Sequence, residues 1–400
     1  MPAHPVGAEI LELLRSHFVD SAALRRWIEA GLSNALLAEH AGGDARMAFD
    51  SAVARALAEL PVSHNQRFTP NKIEYFHLLE TYASAGLRSG LKALFPNGLQ
   101  YPGIGLLAEP CEGRYFAASI VRGGPADLAG LRRGDELLAV NERHFSPVHC
   151  FRGLEGRTAA LLCRRRPDQA AEVVYVRPKL LKPGPMLRRA SLKGARIFAG
   201  ERRSIAYYKP WSLAGAAHWR ILVDTLFGRL RDCDALVLDL RRAIGGASPD
   251  YAELFVGRSP ELRLSRSGCD EELVNPRWRK PVVVLADETT RSGNEVLALA
   301  LQRAGVPVVG QRTAGEVTAA RPFLLSDGSL LLIANRRVTV DGLVLEGRGV
   351  TPDVEVNAPL PYAEGVDPQL DAAVVVADRL SVRPFGWPGR SRRPRGRSGL

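Results

Sequence analysis

Continuous apolar runs alternate with amphipathic segments over residues 201–380. The runs 235–240 (ALVLDL) and 281–286 (PVVVLA) are apolar at nearly every position, which is typical of strands buried on both faces. Two further runs, 306–310 and 330–336, extend the series. Segments with helical periodicity fall between the runs, at about 212–231, 249–257 and 293–304. The alternation predicts an α/β domain with a substantial central sheet.

The first 100 residues have the periodicity of helices instead. Residues 44–60 form one amphipathic segment, a proline ends it, and the loop that follows contains Ser63 and His64. Helical periodicity resumes over residues 73–94. We predict a helical N-terminal region over residues 1–100 that carries one histidine-bearing loop. A helical arm of this kind could serve dimerisation or gating, so a homo-oligomer is one possible state of the protein.

Short strands separated by Gly, Asn and Asp turns occupy residues 101–178 and predict a small β-domain with one short helix. Residues 179–200 are rich in Lys, Arg, Pro and Gly, and we predict a connector there. Residues 381–400 have no core-forming pattern, which predicts a disordered basic tail. The 400 residues therefore divide into a helical region, a β-domain, a connector, an α/β core over 201–380 and a tail.

More than half of the net charge of +11 lies near the carboxyl-terminal end. Residues 383–400 hold six arginines and no acidic residue, so without them the net charge falls to +5. Only seven of the 54 basic residues are lysine, so the arginine bias belongs to the composition as a whole. An RNA-binding tail is one interpretation. We favour a solvated tail and expect no nucleic-acid partner.

The sequence also lacks the signals of several protein classes. The five cysteines form no CxxC pair and their number is odd, which indicates reduced thiols in a reducing compartment. The first residues have no basic segment followed by an apolar stretch, so we expect no signal peptide, and no run reaches ~18 apolar residues. We therefore expect a cytoplasmic protein without a membrane span, or an exported one if Met1 is not the true start. No HExxH motif or His/Cys cluster occurs, so we expect no metal and no cofactor.

Residues 119–145 place glycines where the chain must reverse or adopt a positive φ. Gly124 begins a turn into a short helix, and Gly134 precedes the next strand. This stretch resembles a PDZ domain, a module that binds extended peptides along a sheet edge. The resemblance places the carboxylate-binding loop at Gly103, Ile104, Gly105 and Leu106. That loop comes before the other motifs, as in the circularly permuted PDZ domains of bacterial proteases. A β-domain used only as a spacer is the alternative.

Two glycine-containing segments follow buried strands in the α/β region. Gly245 and Gly246 end the segment LVLDLRRAIGG and expose backbone N–H groups after a strand, as an oxyanion hole requires. Farther along the chain, Ser292 precedes a helix that begins at Gly293, whose N–H could donate to the same oxyanion. Alternatively, Ser292 is only a helix cap with Glu295 as its capping-box partner.

Further motifs continue this series in a fixed order. After the Gly-Gly segment and the S-x-x-E at the helix start come VVGQRTAG, LSDGSLLL and LEGRGVTPDVEV. The whole order, over about residues 100–360, resembles the S41 family of serine peptidases, which includes tail-specific and tricorn-type proteases. The resemblance implies a PDZ module on an α/β core of the ClpP/crotonase-like kind. It also implies a serine endopeptidase with Ser292 as nucleophile, acting on unfolded or C-terminally exposed polypeptides.

The base that activates Ser292 differs between two branches of that family. A serine hydroxyl needs such a partner because its own pKa lies far above 7. Tail-specific proteases use a lysine in a T-x-G-K-type motif. In this chain the matching residue is Glu316, and no lysine follows Lys280. The Ser–Lys dyad is therefore absent.

The tricorn-type branch uses a Ser-His pair that lies ahead of the PDZ domain, and Ser63 and His64 resemble that pair. Glu346 in LEGRGVTPD matches the acidic position of the same branch. In the implied relay, Glu346 orients Ser63 and Ser63 orients His64. His64 then takes the proton of Ser292 as a general base.

Four positions depart from the family pattern. Ala243 stands where the family has an Asn that would support the oxyanion loop, and Asn65 stands where Thr is usual. Arg291 and Asn294 flank Ser292, where small residues are common. Two hypotheses follow: an active peptidase whose peptide substrates bind through the PDZ domain, or a catalytically degenerate peptide-binding protein.

Overall fold

A computed structural model describes residues 4–38, 45–200, 203–257, 260, 262–265, 272–274 and 276–381. Apart from Ser381, the predicted tail over 381–400 lies outside the described residues, as does Cys269.

The N-terminal region is mainly helical, as its periodicity predicts. Its helices within the described residues are α1 (Pro5–His17), α2 (Ser21–Glu29), α3 (Asn34–Leu37), α4 (Ala45–Ala58), α5 (Ile73–Tyr82) and α6 (Arg88–Leu94). A strand, β1 (Gln66–Phe68), lies between α4 and α5, and a π-helical turn covers residues 83–87. The sequence does not indicate β1, because three residues are too few for an alternating pattern.

The β-domain is built from short antiparallel strands. They are β2 (Tyr101–Gly103), β3 (Leu106–Cys111), β4 (Arg114–Ile120), β5 (Glu136–Val140), β6 (Arg143–His144), β7 (Ala159–Arg164) and β8 (Glu172–Val176). The helix α7 (Pro125–Leu128) follows β4. The main sheet has the order β3-β4-β5-β7-β8, so β3 lies at one edge.

Most of the predicted connector over residues 179–200 lies in helices and strands. It contains β9 (Lys179–Leu181), α8 (Pro183–Gly194) and β10 (Arg196–Ala199). The basic side chains of α8 lie outward while Leu187 and Ala190 are buried, so a high content of Lys and Arg does not prevent a helix here.

The α/β core has a six-stranded sheet in the order β10-β11-β12-β15-β16-β19. Its remaining strands are β11 (Ser204–Tyr208), β12 (Ala235–Asp239), β15 (Val282–Ala286), β16 (Val308–Gly310) and β19 (Val354–Glu355). The sheet is parallel except for β10. The segment between β12 and β15 holds α10 (Glu253–Val256) and a hairpin of β13 (Leu262–Leu264) and β14 (Glu272–Val274).

Helices cover both faces of this sheet. On one face, α9 (Ala216–Phe227) and α11 (Gly293–Arg303) pack against Leu236 and Leu238 of β12. On the other face, α12 (Pro368–Ser381) packs against Val237. This is why β12 and β15 are apolar at successive positions, and it confirms the predicted α/β fold class.

The run 330–336 is a strand but does not belong to the central sheet, which corrects the predicted series. It forms β18 (Leu330–Arg336), which pairs antiparallel with β17 (Ala319–Leu324) and with β1. Leu331 and Ile333 pack against the N-terminal helices, while Leu330 and Leu332 face α5. The run is apolar because helices cover both faces of this smaller sheet.

A segment of the core also holds the β-domain in place. Arg133 donates to the carbonyls of Ala358 at 2.8 Å and Val366 at 3.0 Å, and the Tyr362 hydroxyl donates to Glu136 at 2.8 Å. In the part of the chain described, no helix has both the length and the apolar character needed to cross a membrane.

Candidate active site

Ser292 occupies a strained turn between β15 and α11. It is half-buried, and its φ of 58° with ψ of −135° is a conformation that residues other than glycine rarely adopt. Its N–H donates to the Glu316 carbonyl at 2.8 Å and to Glu295 Oε2 at 3.2 Å. Ser292 follows a five-residue loop after β15 and directly precedes α11.

The capping box of Ser292 and Glu295, which the sequence offers as an alternative role for Ser292, is present at the start of α11, and Glu295 also makes further contacts. Its side chain is fully buried and also accepts hydrogen bonds from Thr313 Oγ1 at 2.5 Å, Gly315 N at 2.7 Å and Glu316 N at 2.9 Å. Burial raises its pKa above the ordinary value, although these donors oppose the shift. Glu295 therefore joins the Ser292 turn to the loop 313–316, a role that the sequence pattern does not indicate.

The oxyanion loop, which we define as residues 243–246, lies beside this turn. A Cβ added at Gly246 would lie 4.0 Å from Ser292 Oγ, and one added at Gly293 would lie 2.5 Å from the Ala247 carbonyl oxygen. Glycine is therefore required at position 293 for the close approach of the two segments. Within the described residues, the N–H groups of Gly245, Gly246 and Gly293 donate to no acceptor.

Asn294 contacts the oxyanion loop directly. It is 1% exposed, and its Nδ2 donates to the carbonyls of Ala243 at 3.0 Å and Gly245 at 2.9 Å. The sequence marks Asn294 and Ala243 as separate departures from the family pattern, whereas the structure joins them by a hydrogen bond. In the sequence, the one sign of this contact is that Asn294 is a polar residue beside Glu295 in a helix that is otherwise largely apolar.

A buried ionic network lies beneath the loop. Asp239, at the end of β12, is fully buried and accepts hydrogen bonds from Arg241 Nε at 2.9 Å and Nη2 at 2.8 Å. Arg241 also donates to both carboxylate oxygens of Asp367, at 2.9 and 2.8 Å. Burial alone would raise the pKa of Asp239, but Arg241 and Lys209 bring it well below the ordinary value. Both partners are therefore charged, and they fix the start of the loop.

The histidine loop, which we define as residues 62–65, contains the hydrogen bonds that the proposed relay needs. Ser63 Oγ lies 2.8 Å from His64 Nδ1 and donates to Glu346 Oε2 at 3.1 Å. The Ser63 N–H donates to Glu346 Oε1 at 2.6 Å. Glu346 also accepts from the N–H groups of Val317 at 2.8 Å and Thr318 at 2.9 Å. Burial would raise the pKa of Glu346, but these donors lower it, so the carboxylate is ionised.

His64 is half-buried and has a positive φ of 63°. Burial lowers its pKa below the ordinary value, the charges of Glu316 and Glu346 oppose that shift, and Arg291 adds to it. Among the described residues, Ser292 Oγ makes no hydrogen bond to His64. Catalytic contacts of this kind are often long before substrate binds.

Glu316, which replaces the lysine of the tail-specific branch, takes part in this site in another way. Its carbonyl accepts the Ser292 N–H, and its carboxylate lies 3.3 Å from Arg291 Nη1. Of the two carboxylates that raise the pKa of His64, Glu316 has the larger effect and Glu346 the smaller. Glu316 therefore contributes negative charge where a lysine base would contribute an amine.

The predicted carboxylate-binding loop lies between β2 and β3. Its residues Ile104 and Leu106 are buried, and Gly105 has a φ of 72°. The carbonyls of Ile104 and Gly105 accept from Ala126 N and Val121 N, both at 2.9 Å. In the described part of the chain, the N–H groups of Ile104 and Gly105 donate to no acceptor.

One ion pair joins the β-domain to the turn that leads into the oxyanion loop. Arg242 donates to Glu109 on the edge strand β3, with Nε at 2.6 Å and Nη2 at 2.8 Å. Its Nη1 lies 3.6 Å from Asp287. No group of three or more His, Cys, Asp or Glu that could hold a metal ion occurs among the described residues.

Comparison with known proteins identifies the class of this site. Residues 205–356 match the sequence model of peptidase family S41. This stretch of the chain is therefore similar to the peptidase domain of family S41. The match includes Ser292, the oxyanion loop and Glu346, while His64 and the β-domain lie ahead of it.

Individual relatives come from both branches of the family. The carboxy-terminal processing protease CtpA of Bacillus subtilis is 24% identical over 285 residues, which cover 66% of this chain and 59% of CtpA. Tricorn protease homolog 1 of Streptomyces coelicolor is 34% identical over 150 residues, which cover 36% of this chain and 14% of the homolog. The chain thus spans about three fifths of the first relative and a small part of the second.

The fold is also similar to a solved structure. The crystal structure of the tricorn protease superposes with a TM-score of 0.53 and 16% identity, over 94% of this chain and 36% of that chain. At this identity the likeness concerns the fold alone.

Proposed function

We propose that this protein is a serine peptidase in which His64, not a lysine, activates Ser292. The observation that carries the proposal is the hydrogen-bonded series from Glu346 through Ser63 to His64 Nδ1. That bond leaves the other ring nitrogen, Nε2, to act as the base. The family match and the strained Ser292 turn support the same assignment.

The proposed reaction is acyl transfer to serine followed by hydrolysis. Ser292 Oγ attacks the scissile carbonyl carbon while His64 Nε2 takes its proton. The developing oxyanion accepts from the N–H groups of the oxyanion loop and of Gly293. His64 then protonates the leaving amine as the peptide C–N bond breaks. A water, deprotonated by His64, releases the acyl group and restores the Ser292 hydroxyl.

We further propose that the substrates are unfolded polypeptides or exposed C-termini, held at the β-domain. The free edge of β3 could pair with an extended chain, and the N–H groups of Ile104 and Gly105 could take its carboxylate. A peptide-binding protein without turnover is the alternative. It is favoured by the absence of a hydrogen bond between His64 and Ser292 among the described residues.

The decisive experiment is cleavage of an unfolded protein and a peptide library by wild type, Ser292→Ala and His64→Ala. We expect turnover by wild type and a fall to near background in both variants. His144→Ala, which removes an exposed histidine of β6, is the control and should cleave normally. Peptide binding without wild-type turnover would establish the alternative, and activity retained by His64→Ala would remove the histidine from the mechanism.

A further inference from the structure

Asn294, in the first turn of α11, forms hydrogen bonds to the oxyanion loop. It lies two residues after Ser292, is almost fully buried, and uses one amide nitrogen to bridge two carbonyls of the loop. Its Oδ1 is buried without a hydrogen-bond partner among the described residues. Burying an oxygen without a hydrogen bond is unfavourable. The two hydrogen bonds from Nδ2 therefore stabilise the loop, while the buried Oδ1 lowers the net stabilisation.

The two bridged carbonyls decide which N–H of the loop is free to bind an oxyanion. In a planar trans peptide, the C=O and the following N–H point in opposite directions. The carbonyl of Ala243 shares its peptide with the N–H of Ile244, which donates to the Trp211 carbonyl at 3.0 Å. That peptide is therefore held at both ends and has no donor left.

The next bridged carbonyl belongs to Gly245 and shares its peptide with the N–H of Gly246. Because Asn294 holds the carbonyl end, the N–H end must point away from Asn294. Gly246 is also exposed, and a Cβ added to it would lie 4.0 Å from Ser292 Oγ. The peptide between Gly245 and Gly246 is thus held at one end and free at the end that lies near the nucleophile.

We infer that Asn294 is a positioning residue that orients the Gly246 N–H as the oxyanion donor of this loop, in partnership with the N–H of Gly293. The inference rests on the proposed peptidase activity and deepens it. The loop has no asparagine of its own at position 243, so the orienting amide comes from the helix. One helix start therefore supplies the nucleophile, one oxyanion donor and the residue that aims the other donor.

The test compares wild type with Asn294→Ala and Asn294→Ser, the second of which keeps one short donor. We expect kcat to fall about 10- to 100-fold in Asn294→Ala and less in Asn294→Ser, with little change in KM. Asn141→Asp, in the β-domain, is the control and should retain wild-type kcat. Thermal unfolding and circular dichroism identify any variant that fails to fold, in which case Asn294→Ser carries the test.

A second readout separates oxyanion binding from general damage to the site. Ser292 Oγ can add to a peptide aldehyde, with its proton passing to the former carbonyl oxygen, so the hemiacetal forms without a leaving group. Asn294→Ala should weaken binding of the aldehyde by a factor similar to the loss in kcat. Binding of the matching peptide alcohol should change by less than about twofold.

The outcomes are distinguishable. A folded Asn294→Ala with wild-type kcat and aldehyde affinity would overturn the inference while leaving the peptidase intact. Equal weakening of aldehyde and alcohol would also overturn it, since the residue would then act on the site as a whole. A wild type that neither cleaves peptides nor binds the aldehyde more tightly than the alcohol would overturn the proposed function and this inference together.

Discussion

In both the histidine loop and the oxyanion loop, one asparagine amide donates to two backbone carbonyls of the loop. The two loops differ in how their function depends on charge. Asn65 Nδ2 donates to the carbonyls of Val62 at 2.9 Å and Ser63 at 3.3 Å, much as Asn294 Nδ2 bridges two carbonyls of the oxyanion loop. Asn65 Oδ1 also accepts from Ala334 N at 3.0 Å, whereas Asn294 Oδ1 has no partner within the described part of the chain.

The difference lies in what each loop presents to the nucleophile. The histidine loop presents a half-buried, titratable ring with charged residues around it. The oxyanion loop presents neutral N–H groups whose direction is set by buried contacts. We therefore expect changes of charge and pH to affect activity through the histidine loop. Through the oxyanion loop, activity should depend only on the position of the N–H groups.

The largest effect should come from neutralising the charge of the relay. Glu346→Gln keeps the size of the side chain but removes the carboxylate that accepts from Ser63 and from two backbone N–H groups. We expect kcat to fall by about 10²-fold with KM nearly unchanged, because the imidazolium that forms during the reaction loses its support. Steady-state kinetics with a peptide substrate measure both constants.

Glu355→Gln, an exposed change on β19, is the matched control and should leave kcat unchanged. If Glu346→Gln kept wild-type kcat while folding normally, Glu346 would only hold the histidine loop in place. The expectation that this loop acts through charge would then be wrong.

A smaller effect, on pH dependence, should separate the two loops. Only neutral His64 can accept a proton, so kcat/KM rises with pH through the pKa of His64. Burial lowers that pKa, so the midpoint should lie below the ordinary histidine value of about 6.5. Glu316 opposes the shift, so Glu316→Gln should move the midpoint to still lower pH.

The companion variant for this measurement is Asn294→Ala, which should lower the plateau of the profile and leave its midpoint in place. A midpoint above that of wild type in Glu316→Gln would reverse the sign of the argument. Equal shifts in both variants would mean that the two loops are not independent.

The sequence indicates candidate residues for this site but not the contacts between them. Ser292, His64 and Glu346 are recognisable because each belongs to a short motif. Asn294 is recognisable only as a departure, because its partner Ala243 lies 51 residues away and the contact depends on how β12 and α11 dock. The same reason hides the second role of Glu295. The strand 330–336 shows the converse limit, since an apolar run reports burial on both faces but not which sheet provides it.

The smallest effect should come from the ion pair between Arg242 and Glu109, a contact that could carry a change in the β-domain to the oxyanion loop. Glu109 is about one-third exposed and Arg242 is mostly buried, so solvent screens the pair partly. Glu109→Gln should cost less than about 1 kcal/mol, which limits the change in kcat to about fivefold. We expect the effect to shrink as salt rises, with Glu112→Gln on the neighbouring turn as control. A loss as large as that of Asn294→Ala, and insensitive to salt, would mean that charge holds the oxyanion loop after all.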